Sequence, residues 1–187
     1  MTEAVIRPAE AADLAAIAWL RRQWTQEQQS VDDDQGFDEQ LAAWFARESS
    51  RRITWLAEAD AHAVGMMNLA IFERMPRPGR ALSRWGYLSN AFVLAAHRNQ
   101  SIGEQLIAAV LSYADQNGFA RVVLSPSERS IPFYERAGFG RALDLGCGLR
   151  RCAGRSGDRV MVRAGLRPRT PGDRYPGRPA ACGRCTA

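Results

Sequence analysis

The chain has 187 residues, 46% of them hydrophobic, with 25 arginines, no lysine, 20 acidic residues and a formal charge of +5. That is enough apolar material for one domain with a real core, yet no apolar run reaches membrane-spanning length and the N-terminus lacks the basic start and apolar stretch of a secretory signal. The lack of lysine excludes a Schiff-base mechanism on the protein's own side chains, and these features together read as a soluble, cytoplasmic protein.

Residues 4–10 read as a first strand. Asp13 is placed to cap a helix whose apolar positions Leu14, Ile17, Leu20 and Trp24 recur at three- and four-residue spacing. The polar run 26–36 breaks that pattern, and Phe37, Leu41, Trp44 and Phe45 then mark a second amphipathic helix ending near Ser49. Two extended runs, 51–59 and 62–72, are joined by Asp60-Ala61 and predict an antiparallel hairpin. Pro76, Pro78 and Gly79 make 73–83 a loop, and 84–94 is a long strand. From Ser101 to Asn117 the positions Ile102, Leu106, Ala109, Val110 and Tyr113 form one helical stripe, which Gly118 terminates. A short strand follows at 120–127, apolar enough to be buried on both faces. A short helix comes next, with Pro132 in its first turn and Gly138 at its end. This order predicts a mixed α/β fold: a central, mostly antiparallel sheet with one parallel pair, helices on both faces, and a right-handed strand–helix–strand unit from Trp85 to Leu124.

The basic charge belongs to the end of the chain. Residues 1–139 hold 14 arginines and 17 acidic residues, whereas 140–187 hold 11 and 3. Arginine, glycine and proline make up 24 of those last 48 residues, with almost no aromatic side chains to stack on bases, so a solvated segment is expected rather than a nucleic-acid surface. All four cysteines fall there. Cys182 and Cys185 have metal-ligand spacing, but Cys147 and Cys152 do not and no histidine is near, so no zinc site is expected. Segments 141–149 and 158–166 fit two closing strands of the sheet, and a frame change near Gly140 would equally produce such a composition. Residues 167–187 read as a disordered tail, which puts the domain at 1–166.

Between strand 84–94 and the helix from Ser101 lies a polar connection whose free backbone N–H groups suit an anion. Its residues, Arg98-Asn99-Gln100-Ser101-Ile102-Gly103, resemble the phosphate-binding pattern of the GNAT N-acyltransferase superfamily. About thirty residues on, Tyr134 followed by Gly138-Phe139 resembles the family's later Tyr and Gly-Phe. The resemblance implies the three-layer GNAT fold and direct acetyl transfer from acetyl-coenzyme A to a primary amine, with no covalent enzyme intermediate and no metal. It places the pyrophosphate on the N–H groups of residues 98–103, with Glu104 beside them, and the acyl and pantetheine part along Phe92, Val93 and Leu94. The Val93 N–H becomes the oxyanion donor and Tyr134 the acid for the departing thiolate.

Ser101 replaces a glycine of that pattern, and Ser101 with Glu104 fits a capping box that would consume two of the N–H groups and weaken cofactor binding. No base is evident on the strand: Ser89 and Asn90 stand at the positions where relatives place a carboxylate, and Asn90 can position a water or the substrate. His62 and His97 are surface candidates, and a water-mediated route or an amine that arrives neutral fits better. Asp32, Asp33 and Asp34 either draw a cationic amine toward the site or form a solvated acidic loop, and 73–80 is a candidate wall. The expected acceptor is a small-molecule amine. The alternatives are acetylation of protein N-termini or lysines, and a coenzyme A-binding sensor without transfer. No membrane or nucleic-acid partner is expected, and a homodimer is left open.

Overall fold

The structure, a computed structural model, describes residues 4–28, 34–141 and 160–164. The strands are β1 Val5–Pro8, β2 Arg52–Ala59, β3 His62–Glu73, β4 Arg84–Val93, β5 Phe119–Leu124, β6 Gly140–Arg141 and β7 Met161–Ala164. They form one sheet in the order β1-β2-β3-β4-β5-β7-β6. Every pairing is antiparallel except β4 with β5. The helices are α1 Leu14–Gln28, α2 Phe37–Glu48, α3 Ile102–Gln116 and α4 Ile131–Arg136. The β2–β3 hairpin closes through Asp60 and Ala61 at φ of 50° and 62°, the two positive values that a two-residue turn needs to match strand twist.

Two apolar cores lie on opposite faces of the sheet. On one face α3 buries Ile102, Leu106, Ile107, Val110, Leu111 and Ala114 against Trp55, Met67, Leu69, Phe119 and Val122, and Tyr134 and Phe139 extend that cluster. On the other, Ile17 and Leu20 of α1 pack on Leu56, Met66 and Phe92, flanked by Trp24, Leu41 and Phe45. Each fully buried aliphatic side chain contributes about 1.5–3 kcal/mol. The three-layer mixed fold is thus as the sequence predicts.

Several local features differ from the sequence reading. Asp13 caps from a different place than expected: Glu10 is the N-cap residue, and Asp13 is the third residue of a capping box with it. It ends a 3₁₀ turn, Ala11–Asp13, where its carboxylate accepts the Glu10 N–H at 2.7 Å and two Arg7 bonds at 2.7 Å each; Arg7 also holds Glu58 at 2.6 Å. Strand β5 is not buried on both faces, since Ala120, Arg121 and Val123 are half-buried. Of the two closing strands, 161–164 pairs with β5 over four residues and buries Met161 and Val162, whereas only Gly140–Arg141 of the other is described. The four cysteines and residues 167–187 lie outside the described residues.

Candidate active site

The parallel pair carries the opening. Strand β4 pairs with β5 only at Arg84, Gly86 and Tyr87, while on its other side it stays paired with β3 as far as Val93. From Leu88 onward one edge of β4 therefore has no strand beside it. A cleft of about 880 Å³ fills the gap, lined by α1 (Trp24, Glu27), β4 (Ser89, Asn90, Val93) and the segment after β5 (Ser125, Ser127, Arg129, Ser130, Tyr134). It joins a smaller recess of about 380 Å³ under residues 97–104, and Phe92, Val93, Arg98, Arg129, Ser130 and Tyr134 line both.

Asn90 makes the bend in β4. Between Met66↔Phe92 and Asn68↔Ser89 the strand carries one residue more than its partner, and Asn90 takes φ of 51°, a conformation asparagine tolerates better than most residues. Its Oδ1 accepts Arg21 Nη1 at 3.3 Å. Arginine can only donate, so the carboxamide's orientation follows and its NH₂ is the end left over. Arg21 in turn lies over the Trp24 ring at 4.8 Å, and Trp24 stacks on Phe92 at 5.7 Å.

The reading strand is specific about which groups face the gap. The Leu94 N–H donates to Val64 O at 2.9 Å, so alternation turns the N–H and C=O of Val93 toward the opening. Arg98 Nε donates to that same Val93 carbonyl at 2.9 Å, and its Nη2 pairs with Glu27 on α1. The expected trio is thereby split: Val93 offers its N–H to the cleft, Leu94 has spent its own on β3, and Phe92 contributes a buried ring.

Residues 98–104 form a lip of free donors. The Arg98 N–H closes a turn to Ala95 O at 3.3 Å, and the next backbone bond is Gln105 N–H to Ser101 O at 3.0 Å. Among the described residues the N–H groups of Asn99, Gln100, Ser101, Ile102, Gly103 and Glu104 have no acceptor. The capping box does not form: Ser101 precedes α3 at φ of 59° and makes no side-chain cap bond, and Asn99 is left-handed too, at 62°. Gly103 has a packing reason besides access, because a Cβ there would lie 3.3 Å from Phe133.

Tyr134 closes the floor. It is 7% exposed, edge-on to Phe133 at 4.9 Å and Phe139 at 5.9 Å, and burial pushes its phenol up to about 12. Its hydroxyl bonds to no described residue. Of the acidic trio only Asp34 is described; it pairs with Arg22, which also holds Asp38 at 3.0 Å, and lines neither recess. His97 lines the smaller recess, whereas His62 is exposed at the hairpin turn, 2.7 Å from Asp60 O. Loop 74–83 stands at the far end of β4 and is no wall of the cleft. Sequence reasoning missed Glu27 and the Asn90 bulge. Glu27 is the one carboxylate lining the larger cleft among the described residues.

The opening thus has a lip of backbone donors over one recess and a joined polar cleft beside it. Residues 14–139 match the family model described as "Acetyltransferase (GNAT) family", and the chain belongs to that family. It is 34% identical over 76 residues to a glucosamine 6-phosphate N-acetyltransferase of Trypanosoma brucei brucei, a match spanning 41% of this chain and half the length of that relative. A predicted acetyltransferase of Clostridium acetobutylicum, solved with acetyl-CoA, superposes with a TM-score of 0.61 at 20% identity, covering 74% of this chain and 90% of that one. The Escherichia coli GNAT family N-acetyltransferase YhbS, solved with CoA, gives 0.62 at 22% identity over 88% and 82%. At these identities the structures share the fold. Among the described residues no helix is long and apolar enough to cross a membrane, and no group of three His, Cys, Asp or Glu residues is placed to hold a metal.

Proposed function

We propose that this protein is an acetyl-coenzyme A-dependent N-acetyltransferase acting directly on a primary amine of a small molecule. The observation that carries this reading is the row of six N–H groups, Asn99 to Glu104, unpaired among the described residues at the lip of the parted strands. Together with about half a unit of positive charge at the start of α3, they suit the donor's pyrophosphate. The bound thioester supplies an activated carbonyl, and the chain positions and polarises it. The Val93 N–H, facing the gap, donates to the carbonyl oxygen as that oxygen gains charge. Asn90, its oxygen held by Arg21, orients an oxygen of either substrate and takes no proton.

Tyr134 stays protonated because burial raises it to about 12. The reference phenol of about 10 makes donation to a thiolate, whose acid has a pKa near 8.5, only mildly uphill; at about 12 complete transfer costs roughly 5 kcal/mol. The hydroxyl is thus a hydrogen-bond donor whose bond strengthens as the sulfur gains charge.

The test begins with calorimetric titration of acetyl-coenzyme A, followed by release of coenzyme A thiol across a panel of primary amines. The name of the Trypanosoma relative puts amino sugars and their phosphates first in that panel. Tyr134→Phe should lower kcat roughly 10- to 100-fold, the range of a hydrogen bond to a charged group, and leave acetyl-coenzyme A affinity within twofold. Binding with no acetylation of any amine, protein amines included, would establish the sensor instead. No binding by a folded chain would refute both.

A further inference from the structure

The polar groups that line the larger cleft are cationic or neutral, with one exception among the described residues. The guanidinium groups of Arg98 and Arg129 repel an incoming ammonium, and the cleft's serine, amide and phenol groups can accept its hydrogen bonds but bring no opposing charge. The aromatic wall offers no substitute. Trp24 already has Arg21 over its ring and Phe92 stacked against it.

Glu27 is the exception. It sits in the last turn of α1, lines the larger cleft, and is the one carboxylate there among the described residues. Its Oε2 accepts Arg98 Nη2, and its Oε1 has no described partner. Arg98 is itself anchored, since its Nε is bonded to the Val93 carbonyl. The carboxylate is thereby tied through one side chain to the strand that presents the Val93 N–H.

We propose that Glu27 is the acceptor-recognition residue of this enzyme: its free Oε1 seats the ammonium of a cationic amine, and Arg98 is the positioning residue that holds the carboxylate toward β4. The inference rests on the reading of the protein as an N-acetyltransferase and goes further by naming the acceptor's charge. Acceptors protonated at neutral pH are then preferred over arylamines, which are neutral there. Glu27 selects the charge and does not have to remove the proton, which passes to water before attack.

The experiment compares wild type, Glu27→Gln and Glu27→Asp by steady-state transfer to paired acceptors, an alkylamine series charged at neutral pH and an arylamine series neutral there. Calorimetry with acetyl-coenzyme A serves as the check on folding and donor binding. For the charged series Glu27→Gln should raise KM roughly 10- to 100-fold, the range of a charge-assisted hydrogen bond, with kcat within about threefold; Glu27→Asp should recover part of the loss. The neutral series and donor affinity should stay within about twofold. An unchanged KM for charged amines, or wild-type preference for the neutral series, would overturn the role of Glu27 while leaving the enzyme an acetyltransferase. A wild type that binds acetyl-coenzyme A yet acetylates neither series would overturn both.

Discussion

Replacing Ser101 by glycine should stabilise this protein. Ser101 stands before α3 at φ of 59° with no cap bond from its side chain, and a left-handed conformation costs a residue with a Cβ roughly 1–2 kcal/mol. Glycine removes that cost but returns about 0.5–1 kcal/mol through the entropy of its unfolded chain, leaving a net gain of about 0.5–1 kcal/mol. In a domain of this size that is about 1–4 °C in Tm. Ser101→Ala, which removes a hydroxyl that bonds to no described residue, should change stability by no more than about 0.5 kcal/mol. A working capping box makes the opposite forecast: alanine would cost about 1 kcal/mol and glycine a few tenths. Thermal unfolding of the three proteins decides between them, and calorimetry should find acetyl-coenzyme A affinity undiminished in Ser101→Gly. A glycine variant that melts below wild type, with alanine lower still, would refute the reasoning.

Acid should weaken the fold in a defined window. The Arg7 guanidinium holds Asp13 at about 2, and Arg51 with Arg52 holds Glu48 at about 2, both below ordinary carboxylates. The stability they contribute is complete above about pH 5 and is lost as pH falls toward 2. Melts across that window should show the decline, and Glu48→Gln should flatten it. Gly86→Ala places a Cβ 2.6 Å from Leu69, which is fully buried and cannot swing away, so unfolding experiments should find a loss of about 1–3 kcal/mol; a change below 0.5 kcal/mol would mean that the β3–β4 contact yields. The rate of transfer should show no alkaline limb from Tyr134 below about pH 11, since burial raises that phenol to about 12; a limb near 10 that vanishes in Tyr134→Phe would contradict the burial.

The sequence discloses this fold where local pattern and tertiary packing ask for the same thing. The stripe from Ile102 to Tyr113 is helical by spacing and is buried by spacing, so α3 and its strands could be placed in advance. Ser101 and Glu104 show the converse. The capping box is a local signature, but the chain reaches α3 from a 3₁₀ turn at Ala95–His97 and enters through a left-handed residue, which turns the hydroxyl away. Asn90 was singled out for its amide, whereas its left-handed φ and the bulge it makes belong to register with β3, which no single strand displays. Glu27 carries no signature in the sequence: its place in the cleft depends on how α1 crosses the sheet, and helical periodicity alone makes it one polar residue among many.

The short reach of the parallel pairing has a mechanical side. Among the described residues, strands β1–β4 and β5–β7 are stitched to each other only between Arg84 and Tyr87, with α3 laid across the seam on one face. The free edge of β4 beyond Leu88 thus lacks the ladder that would tie the two halves together, and under the proposed function a donor seated there acts as a splint. At a hundred times its Kd such a ligand adds about 2.7 kcal/mol to whatever opening it blocks. Amide exchange at β5 and β7 should slow with occupancy, while β1 and β2, on the other side of the seam, should keep the rates they had.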